Sequence, residues 1–85
     1  MINSTNRNNL RILCGRVFDH NGKPVSNSII ILYIKYKSKY YGNVTKKIAY
    51  TATNKQGKFA FYIDIYKFRF CDFIVEAYNP LHKIS

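Results

Sequence analysis

Lys35, Lys37 and Lys39 recur at every second position, with Tyr33, Tyr36, Tyr40 and Tyr41 among them and Lys46 and Lys47 a short turn further on. In an extended segment alternate side chains share a face, so the three lysines would present a row of ammonium groups. Cations to meet phosphates and rings to stack on bases are what a single-strand nucleic-acid surface needs. Lys35, Lys37, Lys39, Tyr40, Tyr41, Lys46 and Lys47 are therefore a candidate site for nucleic acid or another polyanion. The same lysines also suit a sheet edge, where charge stops hydrophobic strands from pairing with neighbours.

Acid–base catalysis asks for paired carboxylates or for a histidine with a partner. The chain offers Asp19, Asp64, Asp72 and Glu76 against fourteen lysines and arginines, a formal net charge of +10. Asp19 belongs to a turn signature in which bonding nearby backbone amides accounts for it. Asp64 reads as an exposed strand position, and Asp72 and Glu76 share the outer side of the last strand, all as solvated charges. Asp72 and Glu76 could bracket a metal ion, but the surrounding positive charge opposes it and no third ligand is apparent. Dense calcium loops are absent. His20 lies in a turn two positions before Gly22 and His82 lies near the end of the chain, each incidental. No nucleophile elbow, phosphate-binding glycine loop or zinc spacing occurs. The expectation is no enzyme: no catalytic residue, no metal, no cofactor and no small-molecule ligand.

Two cysteines, Cys14 and Cys71, are 57 positions apart, which fits no metal knuckle. Strand alternation sends Cys14 outward and Cys71 inward, so a bridge within one chain is disfavoured and two free thiols are expected. A link between chains through Cys14 is the sharper alternative.

Two glycine-centred reversals position these groups. Gly15-x-Val17-x-Asp19-x-x-Gly22-x-Pro24-Val25 and Thr51-x-Thr53-Asn54-x-x-Gly57-x-Phe59-x-Phe61 both read strand, tight turn, strand. Gly22 and Gly57 fall where the reversing backbone needs positive φ. Pro24 fits a strand start, where its missing amide proton costs least. Alternation then predicts strands over 10–18, 25–37, 45–53, 58–65 and 70–78. Their inward residues are Leu13, Gly15 and Val17; Val25, Ser28, Ile30, Leu32 and Ile34; Thr51 and Thr53; Phe59, Phe61 and Ile63; and Cys71, Phe73, Val75 and Ala77.

Eighty-five residues allow one domain. A hydrophobic fraction of 47%, with eight tyrosines and six phenylalanines, is enough for a core and favours strand over helix. The longest apolar run, Ile29 to Ile34, is one buried strand long and far short of a membrane span. Residues 1–9 are polar, lack the apolar stretch of a secretory signal and read as a flexible arm. The domain itself is placed at 10–80, with a tail over 81–85.

The sequence resembles the carboxypeptidase regulatory-like, transthyretin-like sandwiches. The likeness runs through Gly15-Arg16-Val17-Phe18-Asp19, the Asn21 to Leu32 segment, Thr51 to Phe61, and Phe73-Ile74-Val75-Glu76-Ala77-Tyr78. It implies a small antiparallel Greek-key β-sandwich of about seven strands, with no catalysis in the domain and a folding, binding or display role. Related transthyretin-like hydrolases need several histidines and a C-terminal Tyr-Arg-Gly-Ser, whereas this chain ends His-Lys-Ile-Ser. That activity is not expected.

The second predicted strand is apolar on its other face as well, through Ile29, Ile31 and Tyr33. If the first two strands share a sheet, Ile12, Cys14 and Phe18 extend the same surface. An apolar outer face on a charged protein points to a contact. The leading expectation is a self-associating structural module whose partners are other copies of itself or another protein, as a dimer, coat or filament. Synthesis in the cytoplasm with deposition on a cell, spore or particle surface would suit it. Polyanion binding is the alternative. Carbohydrate recognition through Tyr40, Tyr41, Tyr62, Tyr66 and Tyr78 is a lesser third, since the chain has no tryptophan.

Overall fold

The computed structural model describes residues 9–78; the expected tail, His82 and all of the expected N-terminal arm except Asn9 lie outside them. The fold is all-β. Among the described residues there are five strands, against the seven or so that the resemblance implies: β1 (Leu10–Arg16), β2 (Ile29–Ser38), β3 (Gly42–Ala52), β4 (Lys58–Asp64) and β5 (Asp72–Tyr78). They form two antiparallel sheets, one ordered β1-β4 and the other β3-β2-β5. Among the described residues no helix is long and apolar enough to cross a membrane.

The core lies between the sheets, where alternation placed it. Ile30 and Leu32 of β2 pack against Phe61 and Ile63 of β4, with Leu13, Val17, Ile48, Ala49, Phe59, Phe68 and Phe73 around them. Gly15 lies opposite Phe59 in the β1–β4 ladder, and a Cβ there would come within 2.8 Å of the Phe59 ring. The glycine makes room for an aromatic side chain that packs edge-on against Phe61, at 6.1 Å between centroids.

Both predicted reversals form. Asp19 accepts from the amides of Asn21 and Lys23, at 2.8 and 2.9 Å. Asn54 does the same for Gln56 and Lys58, at 2.8 and 3.0 Å. Gly57 has φ +76°, and a Cβ there would sit 2.6 Å from the Val17 carbonyl oxygen. The same segment ties the layers together: Val17 N–H donates to Gly57 O and Val25 N–H to Val17 O, at 2.8 and 3.0 Å.

That clasp explains where the strands depart from expectation. β1 ends at Arg16, with Phe18 in an isolated bridge to Pro24. β2 begins at Ile29 because the backbone turns at Asn27, whose φ is +59°. Thr53 seals the turn: its Oγ1 accepts from Ser28 N at 2.9 Å and donates to Val25 O at 2.6 Å. The turn carries the chain from one layer to the other, so β1 and β2 do not share a sheet. Ile12, Cys14 and Phe18 therefore lie on the β1–β4 layer and do not extend the surface of Ile29, Ile31 and Tyr33.

The last strand is the other correction. β5 keeps the expected phase, since Val75 lies opposite Leu32 and Ala77 opposite Ile30. Yet Leu32 is 2% exposed and Val75 is 37% exposed, and Ala77 is exposed too. A covering layer of only two strands leaves this part of β5 bare. Cys71 and Phe73, nearer the loop that carries Phe68, are half-buried.

Candidate functional site

β2 is the axis of the three-stranded sheet, and its register builds the outer face row by row. Ile29 lies between Ala52 and Tyr78, and Ile31 between Tyr50 and Glu76. Tyr33 lies between Lys47 and Ile74. The face thus joins the expected Ile29, Ile31 and Tyr33 to Tyr50, Ile74 and Tyr78, which the sequence had not grouped with them. Their outward phase was readable; that β3 and β5 flank β2 was not. Tyr33 Oη donates to Glu76 Oε1 at 2.9 Å, tying β2 to β5 across this face. That bond raises the Tyr33 phenol above its ordinary pKa, with burial and the carboxylate's charge adding to it.

A β-bulge decides where the later lysines point. Leu32 pairs with Ala49 and Tyr33 with Lys47, so Ile48 is the extra residue. An unbroken strand would send Lys47 to the same face as Ala49. The bulge lets both Ile48 and Ala49 reach the core and turns Lys47 to the outer face beside Tyr33. Lys46 falls opposite Ile34, on the inner side.

β5 pairing stops at Lys35, which faces Asp72, while β2 and β3 run on to the pair Ser38–Gly42. The hairpin therefore projects beyond the rest of the sheet as a two-stranded arm. Lys35 and Lys37 share the outer face with Lys47. At the tip, Ser38 Oγ accepts from the amides of Tyr40 and Tyr41, each at 3.2 Å, and both rings stand in solvent at 85% and 83% exposure. Of the candidate polyanion residues, Lys37, Lys39, Tyr40 and Tyr41 lie on the projecting arm and Lys35 at its base, whereas Lys46 and Lys47 pair with Ile34 and Tyr33 inside the three-stranded part, Lys46 on its inner side. From His20 to Ile63 the chain has no acidic residue. Asp72, across from Lys35, is the carboxylate the register brings to the base of the arm.

The acids have structural work. Asp19 is held below the ordinary carboxylate range, first by the Lys23 amide it accepts, against a smaller opposing effect of burial. Asp64, expected to be a plain surface charge, accepts from the amides of Tyr66 and Lys67 at 3.0 and 3.2 Å. It shapes the β4–β5 loop, for which an Asx turn after a strand is the signal in the sequence. Among the described residues no three His, Cys, Asp or Glu side chains cluster to hold a metal ion.

Cys14 is an exposed free thiol and Cys71 a half-buried one. Beside Cys14 a hollow of about 640 Å³, open to solvent, is lined in part by Arg16, Ala52, Lys58 and Phe59. The five tyrosines considered for carbohydrate fall in separate places: the arm tip, the β4–β5 loop, and β4 and β5, which belong to different sheets. They make no planar row. Compared with family models, curated proteins and solved structures, the chain matches none.

Proposed function

We propose that this is a non-catalytic module of the carboxypeptidase regulatory-like sandwich type that works by self-association. The observation carrying the proposal is the exposed inward pair Val75 and Ala77 of β5 beside the buried inward side of β2. Among the described residues β5 pairs only with β2, so its far edge offers backbone amides and carbonyls to another strand. The other edge of the same sheet, β3, bears Lys46 and Lys47, charge that discourages such pairing. β5 carries no lysine or arginine.

A second copy of β5 fits that edge. Antiparallel pairing centred on Val75 would set Phe73 against Ala77, Ile74 against Glu76 and Asp72 against Tyr78. Apolar residues then meet on the inner side, and no like charges oppose each other. Centring on Ile74 would oppose Asp72 and Glu76, a destabilising pair. The Val75 register joins two three-stranded sheets into one across a two-fold axis. A coat or filament needs one further contact, and the face of Ile29, Ile31, Tyr33 and Tyr50 supplies an apolar one. Light scattering over a concentration series should give a dimer for the native chain and a monomer for Val75→Lys. A native chain that stays monomeric at the highest concentration rejects the proposal.

A second reading, polyanion binding by the arm, has its own observation. The arm carries Lys37 and Lys39, with Lys35 at its base and Lys46 and Lys47 just inside the sheet, five lysines in a stretch without acids. Its signature is an affinity that falls steeply with salt and weakens when Lys35, Lys37 and Lys39 are replaced.

A further inference from the structure

We propose that the arm and the 65–70 loop together form a site for single-stranded nucleic acid, with phosphates on the cations and bases stacked on Phe70 and Tyr66. The inference rests on the polyanion reading of the arm and adds to it both a second element and a ligand class.

The loop is built to display cations and rings. Asp64 holds its first turn through the Tyr66 and Lys67 amides, Phe68 N–H donates to Asp64 O at 3.2 Å, and Cys71 N–H to Phe68 O at 3.0 Å. Phe68 turns inward against the core and meets Phe73 edge-on, at 6.2 Å between centroids. With Phe68 as the anchor, Lys67, Arg69 and Phe70 are left in solvent.

Arg69 is fixed there. Its Nη1 donates to Tyr66 O at 3.1 Å, and its guanidinium carbon lies 4.4 Å from the Tyr66 ring centroid and 5.1 Å from that of Phe70. One of its five N–H donors is used on the backbone. Ring contacts hold a cation without neutralising it, and among the described residues no carboxylate pairs with Arg69. Phe70 is 83% exposed and Tyr66 60% exposed. A positioned, uncompensated guanidinium between two accessible rings offers a phosphate and a base their partners at once.

The loop also stands in the right place. β5 begins at Asp72, opposite Lys35, which is where the arm leaves the three-stranded sheet. The loop therefore joins the sheet at the base of the arm, so Lys67 and Arg69 add to the arm's lysines at one end of the molecule. Tyr40 and Tyr41 at the tip, and Tyr66 and Phe70 at the base, set rings at both limits of this cationic stretch. A sulfated polysaccharide would use only the charge. A single strand also has base faces for the rings, and a duplex hides them in its stack.

Fluorescence polarisation with the full chain and a labelled deoxythymidine oligomer tests this, with duplex DNA, heparin and phosphatidylserine vesicles as comparisons. The oligomer should bind more tightly than duplex. Phe70→Ala should weaken oligomer binding about tenfold, with the salt slope kept and the melting midpoint unchanged. Arg69→Gln and Lys37→Gln should each flatten the log–log salt slope by about 0.7. If heparin and duplex bind as well as the oligomer and Phe70→Ala has no effect, the stacking site is wrong and the polyanion reading survives. If no polyanion binds, both are wrong. Vesicle binding that Phe70→Leu retains, without oligomer binding, overturns the site in favour of a lipid surface.

Discussion

β2 and β5 lie side by side, paired residue for residue from Ile29–Tyr78 to Lys35–Asp72, and share the same alternation. One is the centre of the core and the other is half bare. Their inward residues are similar in kind, Ile30 and Leu32 against Ala77 and Val75, so hydrophobicity does not separate them. What separates them is the opposite layer. Phe61 and Ile63 of β4 pack on Ile30 and Leu32 of β2, and β3 adds Ile48 and Ala49 to that core, whereas β5 adds Phe73 at its loop end. Alternation tells a side chain which face to take; only the breadth of the facing sheet decides whether that face is dry.

Equivalent truncations on the two strands should therefore differ sharply. Leu32→Ala removes a side chain enclosed by β4 residues and should cost about 2–5 kcal/mol, a large share of the stability of so small a domain. Val75→Ala, in the monomer, should cost under about 1 kcal/mol. Denaturant unfolding of both variants at low protein concentration measures the gap. Equal losses would mean that β5 is covered after all.

The gap also marks how far sequence reading reached. The inward phases of β2 and β4 were legible because Ile30-x-Leu32-x-Ile34 and Phe59-x-Phe61-x-Ile63 alternate without interruption, and both turns announced themselves through Asp19–Gly22 and Asn54–Gly57. Strand order was not legible. Alternation carries no information about which strand lies beside which, so Ile12 and Ile29 were placed on one surface when two layers separate them. The bulge at Ile48 was hidden for a similar reason. Its cause is the fit of two apolar residues into a core whose other wall comes from β4, far away in the chain. The 65–70 loop is not legible because its order comes from Asp64 and Phe68, each of which looks ordinary until the turn closes.

A second contrast sets the two turn glycines against each other. Both have positive φ, +85° at Gly22 and +76° at Gly57, but no atom of the described residues lies within 4 Å of a Cβ at Gly22. Gly22→Ala should cost about 1 kcal/mol, the backbone preference alone. Gly57→Ala adds a clash with the Val17 carbonyl, the acceptor for Val25 N–H at the junction of the layers. Its loss should exceed that of Gly22→Ala by about 1–3 kcal/mol. Thermal melts of the two variants decide this, and similar midpoints would show that the clasp yields without cost.

The smallest effect concerns how β5 is held to β2 at all. With its inner side open from Val75 onward, β5 is tied there by the ladder, by Ser28 Oγ donating to Tyr78 O at 3.3 Å and, on the outer face, by the Tyr33–Glu76 hydrogen bond. Because the phenol donates, the bond exists only while Tyr33 keeps its proton, so folding raises its pKa above the ordinary value of about 10. The contribution is complete below that value and is lost as pH rises through the higher folded-state pKa. Native stability should thus decline on the alkaline side more steeply than that of Tyr33→Phe, which has no such proton to lose. Ultraviolet difference titration of native against Tyr33→Phe should show one late phenolate, shifted down in Glu76→Gln. A Tyr33 that titrates with the exposed tyrosines would mean that the cross-strand bond does not hold β5 in solution.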